Sequence, residues 1–197
     1  MTATRTSHAG ALSTELSEYQ AQLGAIRDGA VDLLTGLSEV QLNWRPTPER
    51  WSIAQNVTHL VVIGRLYLPQ FDASIRRARE KGWRRQGPFE YGAIGRWVVA
   101  ELEPPPRRRL KSPRMFKPQP VRPLDDVRDA FLALQDEYEQ RIHAANGIDL
   151  ERAKVATVFS SLLRIPLGQA FQAFLAHERR HLWQAKQVRG AGSYPVA

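Results

Sequence analysis

Residues 167–188 read LGQAFQAFLAHERRHLWQAKQV, and the fold follows from how this stretch is read. Leu167, Ala170, Phe174, His177, His181, Gln184 and Val188 recur in steps of three and four. That is the spacing of one face of an α-helix packed along its neighbours. Pro166 before the run is a start signal and Gly190 after it a stop signal. Two seam positions carry histidine where the others are mostly apolar. The i, i+4 spacing places the two Cβ atoms roughly 6 Å apart on one face. Two imidazoles so placed can share an ion at about 2.0–2.1 Å per bond. Two neutral imidazoles facing an apolar core without partners are costly. A metal ion removes the cost, and so does a buried polar network, and this pair alone leaves both open.

Three more long helices are predicted upstream. Leu12, Leu16, Tyr19, Leu23, Ile26, Ala30, Leu33 and Leu37 give a seam over about 11–36. Gly24, Gly29 and Gly36 weaken its intrinsic helicity, so packing has to hold it. A proline-rich turn, Trp44-Arg45-Pro46-Thr47-Pro48, leads to Ser52-Ile53-Ala54-Gln55, which matches a capping box. The second helix is therefore expected over about 53–80, kinked before Pro69 and buried through its apolar middle. The third runs over about 125–145, capped by Asp125 or Asp126, with Val127, Phe131, Leu134, Tyr138 and Ile142 as its seam and Asn146-Gly147 as its end. Residues 149–166 read as a connector. The fourth helix spans about 167–188.

Between the second and third helices lies a crossover of about 81–123, rich in glycine and proline, with room for a short helix over Ile94 to Leu102. A connection this long crosses the fold or covers a site. Four long helices joined this way predict an all-α four-helix bundle of up-down-down-up order, one domain covering 1–197, since a parallel middle pair requires a crossover.

Composition narrows the function. The 197 residues include no cysteine, which excludes disulfides, thiolate ligands and a protein-borne thiol nucleophile. No apolar run approaches the ~20 residues of a membrane span, and residues 1–20 have no signal-like core, so a cytoplasmic protein with no membrane partner is expected. The net charge of +8 is concentrated: residues 76–123 carry 14 Arg or Lys against 4 Glu. Within it, Arg107 to Arg122 holds seven basic residues and no acid. Clustered cations are one way to bind nucleic acid, but here prolines interrupt them and Phe116 is the sole aromatic. A solvated cover is the better reading, with some of these arginines steering an anionic cosubstrate as a third.

His59 falls in the buried middle of the second helix and offers a third ligand for His177 and His181, although a core histidine is commonly satisfied by a hydrogen bond. His8 and His143 are given no role. The string His177-Glu178-Arg179-Arg180-His181 literally matches the His-Glu-x-x-His of zinc proteases. Those enzymes normally take a third ligand downstream, and residues 182–197 contain no His, Asp or Glu. The helical pattern also lacks the sheet that frames a protease cleft, so the protease reading is set aside.

Three blocks then carry a resemblance: Leu42-x-Trp44-Arg45-Pro46, Trp51-Ser52-x-x-Gln55-x-x-x-His59-Leu60 and His177-Glu178-x-Arg180-His181-x-x-Gln184. Together they resemble the DinB-like superfamily, which includes bacterial thiol S-transferases and a thiol-dependent maleylpyruvate isomerase. The resemblance implies a four-helix bundle with metal ligands at His59, His177 and His181. For the transferases it implies a metal that favours the thiolate of a small-molecule thiol for attack on an electrophile. The expected cofactor is a divalent ion; imidazole donors suit zinc, nickel, iron and copper alike. The expected partner is a small-molecule substrate such as a low-molecular-weight thiol, with a homodimer as an option. Rival functions are a hydrolase using metal-bound water and a non-catalytic bundle with a structural or vestigial metal.

Around the histidines, Gln184 lies one turn beyond His181 and can orient a ligand. Asn56 and Gln55 precede His59 by one turn and can bond its free ring nitrogen; Gln55 is occupied by the cap, so Asn56 is the candidate supporting residue. Glu178 is a candidate general base, with a salt bridge to Arg179 as the competing role. Trp44 and Trp51 read as packing residues at the bundle end.

Overall fold

The computed structural model describes residues 11–106, 121–157 and 160–196. Residues 107–120, which hold most of the basic run, and His8 lie outside the described residues. Among the described residues there are six helices and one hairpin: α1 (Thr14–Leu34), α2 (Glu39–Asn43), α3 (Ile53–Glu80), α4 (Ala93–Leu102), α5 (Leu124–Ala144), β1 (Lys154–Thr157), β2 (Ser160–Pro166) and α6 (Leu167–Arg189). The protein is mainly helical, as expected. The four long helices form at the predicted places, and α3 runs through Pro69 unbroken.

α3 starts where the capping box places it. Ser52 Oγ accepts from the Gln55 amide at 3.1 Å, and the Gln55 side chain accepts from the Ser52 amide at 3.1 Å. α5 starts differently from expectation. Its N-cap is Pro123, with no side-chain cap, so neither Asp125 nor Asp126 caps it. Both aspartates sit in the first turn, where they favour the positive end of the helix dipole. The end of α5 is as read: Gly147 takes φ +76°, which a side-chain-bearing residue rarely adopts. Asn146 beside it accepts from the Ser13 amide and donates to the Ala11 carbonyl, which pins the start of α1 to the end of α5.

Each long helix packs on two of the others. α3 lies against α5 and α6, and so does α1. The core is continuous across them, with Leu16, Phe71, Phe131, Tyr138 and Phe171 fully buried. α3 and α5 come close at Gly64, where an added Cβ would sit 2.6 Å from both Leu134 methyls. Phe71 stacks on Phe171 at 4.8 Å and meets Tyr138 edge-on, tying α3, α6 and α5 together.

Three elements go beyond the four-helix reading. α2 fills part of the first turn with its own capping box on Ser38. The connector 149–166 is an antiparallel hairpin, with Lys154 opposite Pro166 and Val155 opposite Ile165. Its physical reason lies in α6. Pro166 gives α6 no side-chain cap, and the Leu167 and Gly168 amides instead donate to the carbonyls of Ala153 and Leu150. The turn that leads into β1 thus satisfies orphan donors at the helix start. α4 forms over Ala93–Leu102 and packs along α6. With α1, α3, α4 and the hairpin around it, α6 is buried on more than the single seam its sequence shows.

Candidate metal centre

The i, i+4 repeat puts His177 and His181 on the α6 face turned to α3, and His59 meets them from the buried first half of α3. The ring centroids of His59 and His181 are 4.6 Å apart, those of His177 and His181 4.6 Å, and those of His59 and His177 5.3 Å. One nitrogen from each ring lies within 4.8 Å of the other two. His59 and His181 are buried, and His177 is half-buried. Gln184, one turn on, is half-buried too, so the cluster sits where the α6 seam begins to open. The structure therefore brings together the two histidines that the spacing singled out and His59, the third that the buried second helix offered. His143 stays apart, on the surface beside Gln20 and Glu139.

Burial, first of all, holds His177 well down, at about 3, and the His59 ring and the Arg180 guanidinium add to this. His181 is lowered well below the ordinary histidine range by burial and then by His177, His59 and Arg180. Both rings are therefore neutral, the form that can coordinate a metal.

Asn56 supports the cluster, but through a different partner from the one expected. Its Oδ1 lies 3.1 Å from His181 Nδ1, across the helix interface, where the sequence suggested His59 on its own helix. Its Nδ2 donates to the Ser52 carbonyl at 2.9 Å. That second bond fixes which end of the amide faces the histidine. An amide oxygen only accepts, so the His181 proton resides on Nδ1 and Nε2 carries the free lone pair. Asn56 is one turn from His59 in sequence, yet the packing of α3 on α6 brings His181 closer to hand.

Glu178 points elsewhere. It is fully buried and accepts from Gln135 Nε2 of α5 at 2.7 Å. Burial pushes its carboxyl up to about 8, against the opposing pull of the Gln135 hydrogen bond and of Arg179. The alternative salt bridge to Arg179 is not what forms either. The Arg179 guanidinium grips the Glu103 carboxylate and Gln22. Arg180 is buried and donates to the Glu101 carbonyl of α4 at 2.7 Å.

Trp51 is the residue the sequence reading missed. Its indole stacks on His181, at 5.6 Å and 24°, and tilts against His59 at 4.9 Å. A signal was available. Trp51 immediately precedes the N-cap Ser52, a position whose apolar side chain normally packs on the fourth residue of the helix. That residue is Asn56, which is polar, so the indole must find another surface. Trp44, by contrast, packs edge-on against Tyr194, as a packing residue does.

The donor set fits a metal ion. Three imidazoles converge, the free nitrogen of His181 is fixed by Asn56, and imidazole is a common metal ligand. A cavity of about 780 Å³ lies between α1, the 86–91 loop, α4 and the Arg179 side of α6. None of the three histidines lines it. The converging donors, and not that larger volume, mark the chemical site.

The family model of the DinB superfamily matches residues 22–185, a span that includes all three histidines, Trp51, Asn56 and Gln184. No curated protein and no solved structure matches the chain.

Proposed function

The chain belongs to the DinB superfamily, and on that premise we propose that it is a metal-dependent enzyme centred on His59, His177 and His181, which transfers a low-molecular-weight thiol to an electrophile. The observation that carries the reading is the convergence of three imidazoles from two helices, one nitrogen of each within 4.8 Å of the other two. When bound, a divalent ion there supplies a Lewis acid that lowers the pKa of a thiol within its reach.

The chain's own residues do the rest. Asn56 holds His181 with Nε2 free. The charged neighbour of His177 and His181 is the Arg180 guanidinium, which favours an anionic group beside them. A cation held by such a set favours an anionic partner, and a thiolate meets that need. With no cysteine in the chain, the sulfur comes from a cosubstrate. The thiol gives up its proton to solvent, its sulfur bonds to the electrophilic carbon, and the electrophile's leaving group departs with the bonding pair; we assign the half-buried Gln184, one turn beyond His181, to orienting the incoming molecule. Glu178 is assigned a supporting role instead of proton transfer, because its carboxyl is buried against Gln135 on the α5 side.

We read the four long helices as an up-down-down-up bundle in a single domain. Their pairwise packing, each on two of the others, and the long crossover that carries α4 onto α6 support that order. None of the described helices is long and apolar enough to cross a membrane.

A cobalt substitution tests the function. Titrating common bacterial thiols into the cobalt-loaded protein should produce a sulfur-to-cobalt charge-transfer band. His59→Ala should lose metal after chelator dialysis and remetallation, while His143→Ala retains it. Equal retention in those two variants would falsify the three-histidine centre. Metal retention with no thiol band, alongside hydrolytic turnover, would leave the centre standing and replace thiol transfer with water chemistry.

A further inference from the structure

Two residues at the start of α3, Trp51 and Asn56, touch the imidazoles, and Ser52 between them holds Asn56. Ser52 caps the helix and its carbonyl holds Asn56, Asn56 holds His181, and Trp51 lies against the rings of His59 and His181. Trp51 is half-exposed, so one part of the indole rests on the imidazoles while another faces solvent. Whatever occupies the centre sits beside an aromatic surface with no charge. A divalent ion held by the three imidazoles would present positive charge beside that surface. A small molecule reaching the centre therefore meets two different environments, one suited to an anionic head and the other to an apolar body.

We propose that Trp51 is the specificity-determining wall of this centre, receiving the apolar or aromatic body of a substrate whose anionic head is drawn to the imidazole cluster. The proposal rests on the metal-centre reading above and extends it to the class of substrate. Indole offers a broad, rigid face that packs against rings or a sulfur atom in offset or edge geometry. It does little for a small hydrated anion. Selectivity at the centre is then set by apolar contact as well as by charge.

The test uses the full-length cobalt-loaded protein and pairs of probes with the same head: acetate against benzoate, and 2-mercaptoethanol against benzyl mercaptan, with azide as a head-only control. The wild type should prefer the ring-bearing member of each pair by about tenfold. Trp51→Ala should keep its cobalt and its azide affinity and bring the two members of each pair within about twofold. Trp51→Phe, which keeps a ring in place, should retain most of the preference. A second readout is independent of affinity: benzoate should change tryptophan emission in the wild type, and Trp51→Phe should abolish the change.

Unchanged preference in a metal-replete Trp51→Ala variant would overturn the proposal. If Trp51→Ala fails to hold cobalt, Trp51→Phe and Trp51→Leu are compared. Loss of metal in both would overturn the proposal too, since Trp51 would then be part of the ligand scaffold. Failure of the thiol reading looks different. Both mercaptans would go unbound while the carboxylates still show the ring preference, which leaves Trp51 in its role.

Discussion

His181 shows how one neighbour decides an imidazole's chemistry. With Nδ1 bonded to Asn56 and Asn56 anchored to the Ser52 carbonyl, the ring can neither flip nor change tautomer without breaking a buried hydrogen bond. Asn56→Leu should therefore weaken metal binding by about 10–100-fold, while Asn56→Asp, which still accepts from Nδ1–H, should bind at least as tightly as Asn56→Leu and within about tenfold of the parent. Competition with a chromogenic chelator measures both, and equal affinity for the Leu variant and the parent would remove Asn56 from the site. Glu178 gives a second prediction. Its folded-state value of about 8 lies above the ordinary carboxyl range, so the folded protein holds a proton there that the unfolded chain gives up. The associated stability is present below about pH 4.5 and is lost as the pH climbs toward 8. Glu178 Oε2 and Gln135 Oε1 are both buried without a partner, as two acceptors would be, and a proton on the carboxyl supplies the missing donor. Glu178→Gln supplies an N–H permanently. In chelator-treated protein it should remove this pH dependence and raise stability at pH 9 by about 2–4 kcal/mol. Urea unfolding at pH 5 and pH 9 checks it, and a variant less stable than the parent at pH 9 would refute a neutral Glu178.

At the scale of elements, the site depends on how closely α3 approaches its neighbours. Gly64 lets α3 settle on α5, with the fully buried Leu134 filling the space a Cβ would need. Gly64→Ala should therefore cost about 1–3 kcal/mol despite alanine's better helix propensity. Adding Leu134→Val should recover part of the loss, a coupling visible in a double-mutant cycle. Additive effects would mean that the two side chains do not compete for the space. The turn before β1 does comparable work for α6: the carbonyls of Leu150 and Ala153 take the first amides of the helix, and Val155 in the adjoining strand is fully buried. Helix α6 thus enters the core already anchored, which sets the height at which His177 and His181 face His59.

For the molecule as a whole, burial governs the response to alkali. Burial raises the phenols of Tyr19, Tyr91 and Tyr138 well above the ordinary tyrosine value, and for Tyr19 and Tyr91 the Glu15 carboxylate that both hydroxyls bond adds to it. A group raised in the folded state stabilises it below the unfolded pKa, near 10, and ceases to do so as pH rises beyond that. Absorbance near 295 nm should show these three tyrosines ionising only as helical circular dichroism is lost. Full ionisation of all five tyrosines with the helices intact would contradict the packing of α1, α5 and the 86–91 loop.

By itself the sequence determined the helical class, the four long helices and the pairing of His177 with His181, because each rests on a local property. Periodicity fixes a helix face, a capping box fixes a start, and i, i+4 spacing fixes which side chains share a face. Only the tertiary structure decided the rest. The turn at Leu150 and Ala153 accepts the first amides of α6, Asn56 belongs to His181 because two helices meet there, and Trp51 lies on the imidazoles because its usual helix partner is polar. Glu178, one residue from a ligand in sequence, faces Gln135 on another helix, since successive residues turn about 100° apart. Those contacts join residues distant in the chain, and a one-dimensional pattern carries no information about which distant surfaces will meet.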